Sequence, residues 1–158
     1  MKETSSIEVR HNIEVAHRLT KTPGKCQNIH GHSMWVEFEI WGELDDAGLL
    51  AGIDYGSLKK HFRHHLDTEY DHHLLLNRDD PFARGMTDEP PDTRGDAIYT
   101  FLPGLQPCTE DPTTENIAKW IGAWGVETVV GGSAFEIPRL RVTVHETKVN
   151  IATWEWNA

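Results

Sequence analysis

The sequence predicts an α+β fold: a four-stranded antiparallel sheet in the order β-β-α-α-β-β, with both helices on one face. Three observations carry this expectation. Residues 5–17 and 32–44 alternate apolar and polar side chains on either side of a turn, the period of half-buried strands. Two later stretches change to helical spacing, and the C-terminal stretch alternates again.

In SSIEVRHNIEVAH, Ile7, Val9, Ile13 and Val15 share one face, while Glu8, Arg10, Asn12 and Glu14 share the other. HSMWVEFEIWGEL repeats the pattern, with Met34, Val36, Phe38 and Ile40 opposite Glu37 and Glu39. Pro23-Gly24 lies between them and marks a turn, so the two strands pair antiparallel. Beyond Asp54, a residue suited to cap a helix, Tyr55, Leu58, Phe62 and Leu66 recur at helical spacing. A second helix is expected from about Pro112, with Ile117, Trp120, Ile121 and Trp124 on one stripe. Proline suits its first turn, and Gly131-Gly132 suits its end. Leu140, Val142 and Val144, followed by Val149 and Ile151, give the closing strands. Residues 78–111 hold several prolines without clear periodicity, and a connection of that length reads as an insertion within one domain spanning 1–158.

Composition narrows the function. At 158 residues, with 38% hydrophobic and 25% charged side chains, the chain reads as globular rather than disordered. A formal charge of −10 without a run of Lys or Arg argues against nucleic acid as a partner. No stretch has the length of a membrane span, and the N-terminus lacks the apolar core of a signal peptide. Cys26 and Cys108 are too few for a disulfide framework, which fits a reducing cytoplasm.

The chemistry concentrates in GKCQNIHGHS, residues 24–33. His30 and His32 are two apart, so in an extended segment both point to the side of Met34, Val36, Phe38 and Ile40. His17 has the parity of Ile13 and Val15. Without a bulge, three imidazoles meet on the apolar faces of paired strands. Three neutral histidines suit Zn²⁺ with a fourth position open, the arrangement of a catalytic site. A cupin-type metal motif, with Glu37 as a ligand, is disfavoured because Glu37 falls on the opposite face. Two amphipathic helices also have no place in such a barrel.

Cys26 adjoins Lys25, a cation that favours the thiolate; an inert thiol or a fourth metal ligand fits the sequence as well. Asp71 followed by His72 reads either as an orienting carboxylate with an acid-base imidazole or as a polar helix end. His61, His64, His65 and His73 read as solvated. Glu146 has the parity of an apolar strand face, where a carboxylate needs a partner. A ligand presenting two parallel N–H groups suits it; so does water at a strand end, or pairing with Arg10, Arg18 or His145.

Taken in order, AHRL, Cys26-x3-His30-x-His32, Asp54 with Leu58-Lys59, Asp71-His72, Pro112-Thr-Thr-Glu-Asn116 and His145-Glu-Thr147 resemble the 6-pyruvoyl- and 6-carboxy-tetrahydropterin synthase family. The resemblance implies the tunnelling fold, whose ββααββ subunits join sheets into a barrel. It also implies a homo-oligomer, commonly a hexamer of two trimers, with active sites between subunits. It assigns zinc to His17, His30 and His32, the catalytic thiol to Cys26, and acid-base roles to Asp71 and His72. Glu146 becomes the anchor of the pterin edge, with Thr113 and Thr114 near the bound ring. The interval from Cys26 to His30 is four residues, similar to the carboxy-forming branch; pyruvoyl-forming relatives place the cysteine farther upstream. That branch is a lyase acting on 7,8-dihydroneopterin triphosphate, releasing acetaldehyde and triphosphate on the route to 7-deazaguanine and queuosine. A pyruvoyl-forming enzyme and a zinc-loaded binding protein without turnover are the alternatives. Gln27-Asn28 stands where many carboxy-forming relatives have Gly-Arg.

Overall fold

In a computed structural model of the chain, residues 4–82 and 110–158 are described. Most of the expected insertion at 78–111, and Cys108 with it, lies outside the described residues. Strand β1 runs Ser5–His17 and β2 His30–Gly42. Helix α1 is Tyr55–Glu69, followed by a two-residue strand β3, Leu74–Leu75. Helix α2 is Thr114–Gly125, extended by a π-type turn over Val126–Val130, and β4 Arg139–His145 and β5 Ile151–Asn157 close the fold.

Among the described residues the sheet has five strands, in the order β3-β1-β2-β4-β5, not the four expected. Nor is it wholly antiparallel, since β3 runs parallel to β1, pairing Ala16 with Leu74 and His17 with Leu75. A two-residue strand has no period to read, and only its position beside β1 reveals it. The final strand begins at Ile151, because Val149 stays in the hairpin and is 86% exposed.

The helices start where local chemistry directs. Asp54 accepts a hydrogen bond from the Ser57 N–H, and Thr113 Oγ1 accepts from the Asn116 N–H, each satisfying a first-turn donor. Leu58, Phe62 and Leu66 of α1, with Ile117 and Ile121 of α2, are buried against Ile13, Met34, Val36, Phe38, Leu140, Val142 and Val144. Helix α2 sits so close to the sheet that a Cβ on Gly125 would stand 2.5 Å from the Phe38 ring. The opposite sheet face is polar, tied by Arg10 to Glu37, Arg141 to Glu39 and Arg139 to Glu155. Among the described residues, no helix is long and apolar enough to cross a membrane.

His65 departs from its solvated reading. Its ring stacks on Trp124 at 4.3 Å between centroids with planes 3° apart, and its buried Nε2 has no partner among the described residues. Burial, aided by the neighbouring His64, pushes its pKa down to about 4. The unfolded chain takes up a proton near pH 6.5, the folded chain only near pH 4, so stability is complete above 6.5 and lost as the pH falls between these values. Urea unfolding of His65→Phe, which keeps the stacking, should therefore show a smaller loss between pH 7 and 4.5 than the parent protein. The expected difference is about 1–2 kcal/mol after allowing for partial solvent screening. Equal losses would remove His65 as the titrating group.

Candidate metal centre and active site

The pairing of β1 with β2 is unbroken from Ser5 opposite Gly42 to His17 opposite His30. With no bulge to invert the faces, alternation carries His17, His30 and His32 to the core side. Their ring centroids lie 4.6, 5.1 and 5.1 Å apart, and one nitrogen from each falls within 4.8 Å of the others.

Backbone carbonyls set the orientation of two rings. His17, only 1% exposed, bonds through Nδ1 to the Pro112 carbonyl at 2.8 Å. His30 bonds through Nδ1 to the Asn28 carbonyl, also at 2.8 Å. Each ring therefore carries its proton on Nδ1 and keeps an Nε2 lone pair free. Among the described residues, the buried Nε2 atoms of His17 and His32 have no hydrogen-bond partner. Buried polar atoms ordinarily find partners, so these two mark a place prepared for a cation. Burial first, then the adjacent His30 and His32, hold His17 below its ordinary pKa against the opposing effects of the Pro112 bond and Glu146. A neutral imidazole is the form that ligates. The donor set fits zinc.

Glu146 follows the end of β4 and turns back into this site. Its Oε1 lies 3.9 Å from His17 Nε2 and 3.8 Å from His32 Nε2. Its partners are Thr114 Oγ1, donating to Oε1 at 2.8 Å, and the Asn150 amide, donating to Oε2 at 3.2 Å. Arg10, Arg18 and His145 are not among these; His145 meets Glu37 at 3.1 Å instead. Burial would raise the carboxyl's pKa, but these two donors and the imidazoles of His32 and His17 hold it below the ordinary value. It is an anion at neutral pH. Thr114 thus orients Glu146, whereas the Thr113 hydroxyl is engaged in capping α2.

Asp71 and His72 form a pair at the sheet's edge. Asp71 Oδ2 meets His72 Nδ1 at 2.7 Å, and Asp71 Oδ1 accepts the Glu14 N–H at 2.7 Å. Adjacent side chains can face each other because His72 adopts a left-handed φ of 60°, a conformation held by its own N–H donating to the Glu14 carbonyl at 2.6 Å. His72 is 79% exposed, and it lines an open cleft of about 500 Å³ together with His32, Ser33 and Glu14.

Cys26 sits in a single 3₁₀ turn, Lys25–Gln27, as an exposed free thiol. It does not belong to the converging donor set. Three contributors were not legible beforehand: the Pro112 carbonyl, Asn150, and Glu14 as the backbone anchor of Asp71. Only the Pro112-Thr-Thr run gave a signal, and it pointed to the ring rather than to His17.

A family model described as 6-pyruvoyl tetrahydropterin synthase matches residues 6–157. Among curated proteins, a 6-carboxy-5,6,7,8-tetrahydropterin synthase of Rickettsia conorii is 31% identical over 110 residues, 69% of this chain and 71% of that protein. A Bacillus subtilis protein of the same name is 30% identical over 102 residues, 60% of this chain and 66% of its own. Among solved structures, the Plasmodium vivax 6-pyruvoyl tetrahydropterin synthase superposes with a TM-score of 0.68 at 21% identity, covering 99% of this chain and 100% of that one. The Caenorhabditis elegans enzyme of that name gives 0.63 at 24% identity, covering 99% and 96%. At these identities the structural likeness speaks for the fold.

Proposed function

Because this chain belongs to the 6-pyruvoyl tetrahydropterin synthase family, we propose that it is a zinc-dependent carbon–carbon lyase of the 6-carboxy-tetrahydropterin type. With one water it takes 7,8-dihydroneopterin triphosphate to 6-carboxytetrahydropterin, acetaldehyde and triphosphate, a step toward 7-deazaguanine bases such as queuosine. The observation that carries the reading is the meeting of His17, His30 and His32 beside Glu146, with two buried Nε2 atoms left unpartnered. The names of the curated relatives and the four-residue interval from Cys26 to His30 support the carboxy-forming branch.

His17, His30 and His32 would hold the metal, which when bound would supply Lewis-acid stabilisation to side-chain oxygens of the substrate. Glu146, anionic and oriented by Thr114 and Asn150, accepts paired N–H donors from the pterin edge, and Thr113 lies at the ring's border. The Cys26 thiolate takes a proton from the carbon joining ring and side chain. His72 returns one from Nε2, because Asp71 holds its Nδ1.

Homo-oligomerisation, as a hexamer of two trimers, belongs to the same reading. Among the described residues the outer edge of β5 has no neighbour in the sheet, and Cys26 and His72 are exposed groups whose chemistry needs exclusion of water. A neighbouring subunit would supply that cover.

The test is a product assay with zinc-loaded protein and 7,8-dihydroneopterin triphosphate under anaerobic conditions. A 6-carboxy pterin with equimolar acetaldehyde is expected. The pyruvoyl-forming reaction, favoured by the names of the family model and the solved structures, would give a 6-pyruvoyl pterin without acetaldehyde. Absence of turnover with zinc retained would overturn both in favour of a binding protein.

A further inference from the structure

The two ends of the site's framework, the segment leaving β1 and the segment entering α2, meet at one buried carboxylate. Asp111 is 5% exposed. Its Oδ1 accepts from Thr20 Oγ1 at 2.9 Å and from the Asn77 amide, and its Oδ2 accepts from the Lys21 N–H at 2.7 Å. Thr20 and Lys21 lie just beyond the ligand His17. The next residue after Asp111 is Pro112, whose carbonyl holds His17 Nδ1.

Pro112 has no N–H with which to anchor itself. The peptide bearing its carbonyl is fixed from the other end: the Thr113 N–H donates to the Asp111 carbonyl at 2.8 Å, which also accepts the Asn116 amide at 2.9 Å. The contacts close a ring, from His17 along the chain to Thr20 and Lys21, across to Asp111, on to Pro112 and back to His17. Burial would raise the Asp111 pKa, but the donors from Lys21, Asn77 and Thr20 outweigh it and keep the carboxyl below its ordinary value.

We infer that Asp111 is a positioning residue for the three-histidine centre: by fixing the Pro112 carbonyl it holds His17 as the Nδ1–H tautomer, with Nε2 directed at the metal position. The inference rests on the proposed metal site, but its tautomer element concerns the metal-free protein alone.

The experiment uses Asp111→Asn, which preserves shape while exchanging one acceptor for a donor among three donors. Zinc affinity is measured by competition with a chromophoric chelator, and the His17 tautomer by imidazole ¹⁵N shifts in metal-free protein. The expected result is a 10–100-fold weaker zinc affinity and a His17 signal shifted from pure Nδ1–H toward a mixture. Asp80→Asn serves as the control. It breaks the neighbouring ion pair of the buried Asp80 with the partly exposed Arg18, 3.2 Å apart, without touching Pro112, and should lower the unfolding midpoint while leaving zinc affinity and tautomer unchanged. Unchanged affinity and tautomer in Asp111→Asn would overturn the inference. So would an Asp80→Asn variant that lost zinc equally, since general loosening would then be the cause. Failure of the parent protein to bind zinc would overturn the metal reading instead, and the His17 tautomer in Asp111→Asn would still decide the role of Asp111.

Discussion

Replacing Cys26 by Ala is expected to lower turnover by about 10³-fold or more while zinc content stays at the level of the parent protein. The thiol is exposed in a single turn, outside the set of converging nitrogens. Its loss therefore costs little stability, within about 0.5 kcal/mol, as at other exposed positions. A group that moves the proton of a carbon acid contributes about 10²–10⁴-fold. Metal analysis and single-turnover kinetics on one preparation decide the matter. Zinc lost with the thiol would make Cys26 a fourth ligand and the centre closed. Retained zinc with near-normal turnover would make the thiol a bystander.

Asp71→Asn should produce the second large effect, a fall in kcat of about 10²–10³-fold with little change in KM. The asparagine carbonyl can still accept the Glu14 N–H, so the turn persists. Its amide, however, donates where the carboxylate accepted, which moves the imidazole proton of His72 from Nδ1 to Nε2 and removes the charge facing it. Binding is left intact because Glu146 and the three histidines are untouched. A rise in KM with kcat preserved would instead place the pair in substrate binding. No change in either would make it a structural clasp for the left-handed residue.

Much of the site could be read from spacing. The strand period runs through the three histidines themselves, so His17, His30 and His32 share the parity of the core residues beside them. The unbroken register from Ser5–Gly42 to His17–His30 delivers what parity predicts. The inward set of Glu146 follows from the same alternation, although β4 ends one residue before it. The Asp71–His72 contact was one of two readings open to the adjacent residues, and the left-handed φ of His72 that brings the side chains together is not encoded in their spacing. His65 was misread because the face of α1 that meets Trp124 is wider than the apolar stripe alone.

By itself the sequence determined the alternation, the helix starts near Asp54 and Pro112, and the side of the sheet on which the three histidines fall. These are consequences of backbone period and capping, which act within a few residues. The tertiary structure alone decided that Leu74–Leu75 joins the sheet beside β1, and that the Pro112 carbonyl reaches His17 across 95 positions. It also decided which donors satisfy Glu146 and Asp111. Those contacts join segments far apart in the chain, and a buried polar atom takes whichever partner packing brings within reach. No period along the sequence encodes that choice.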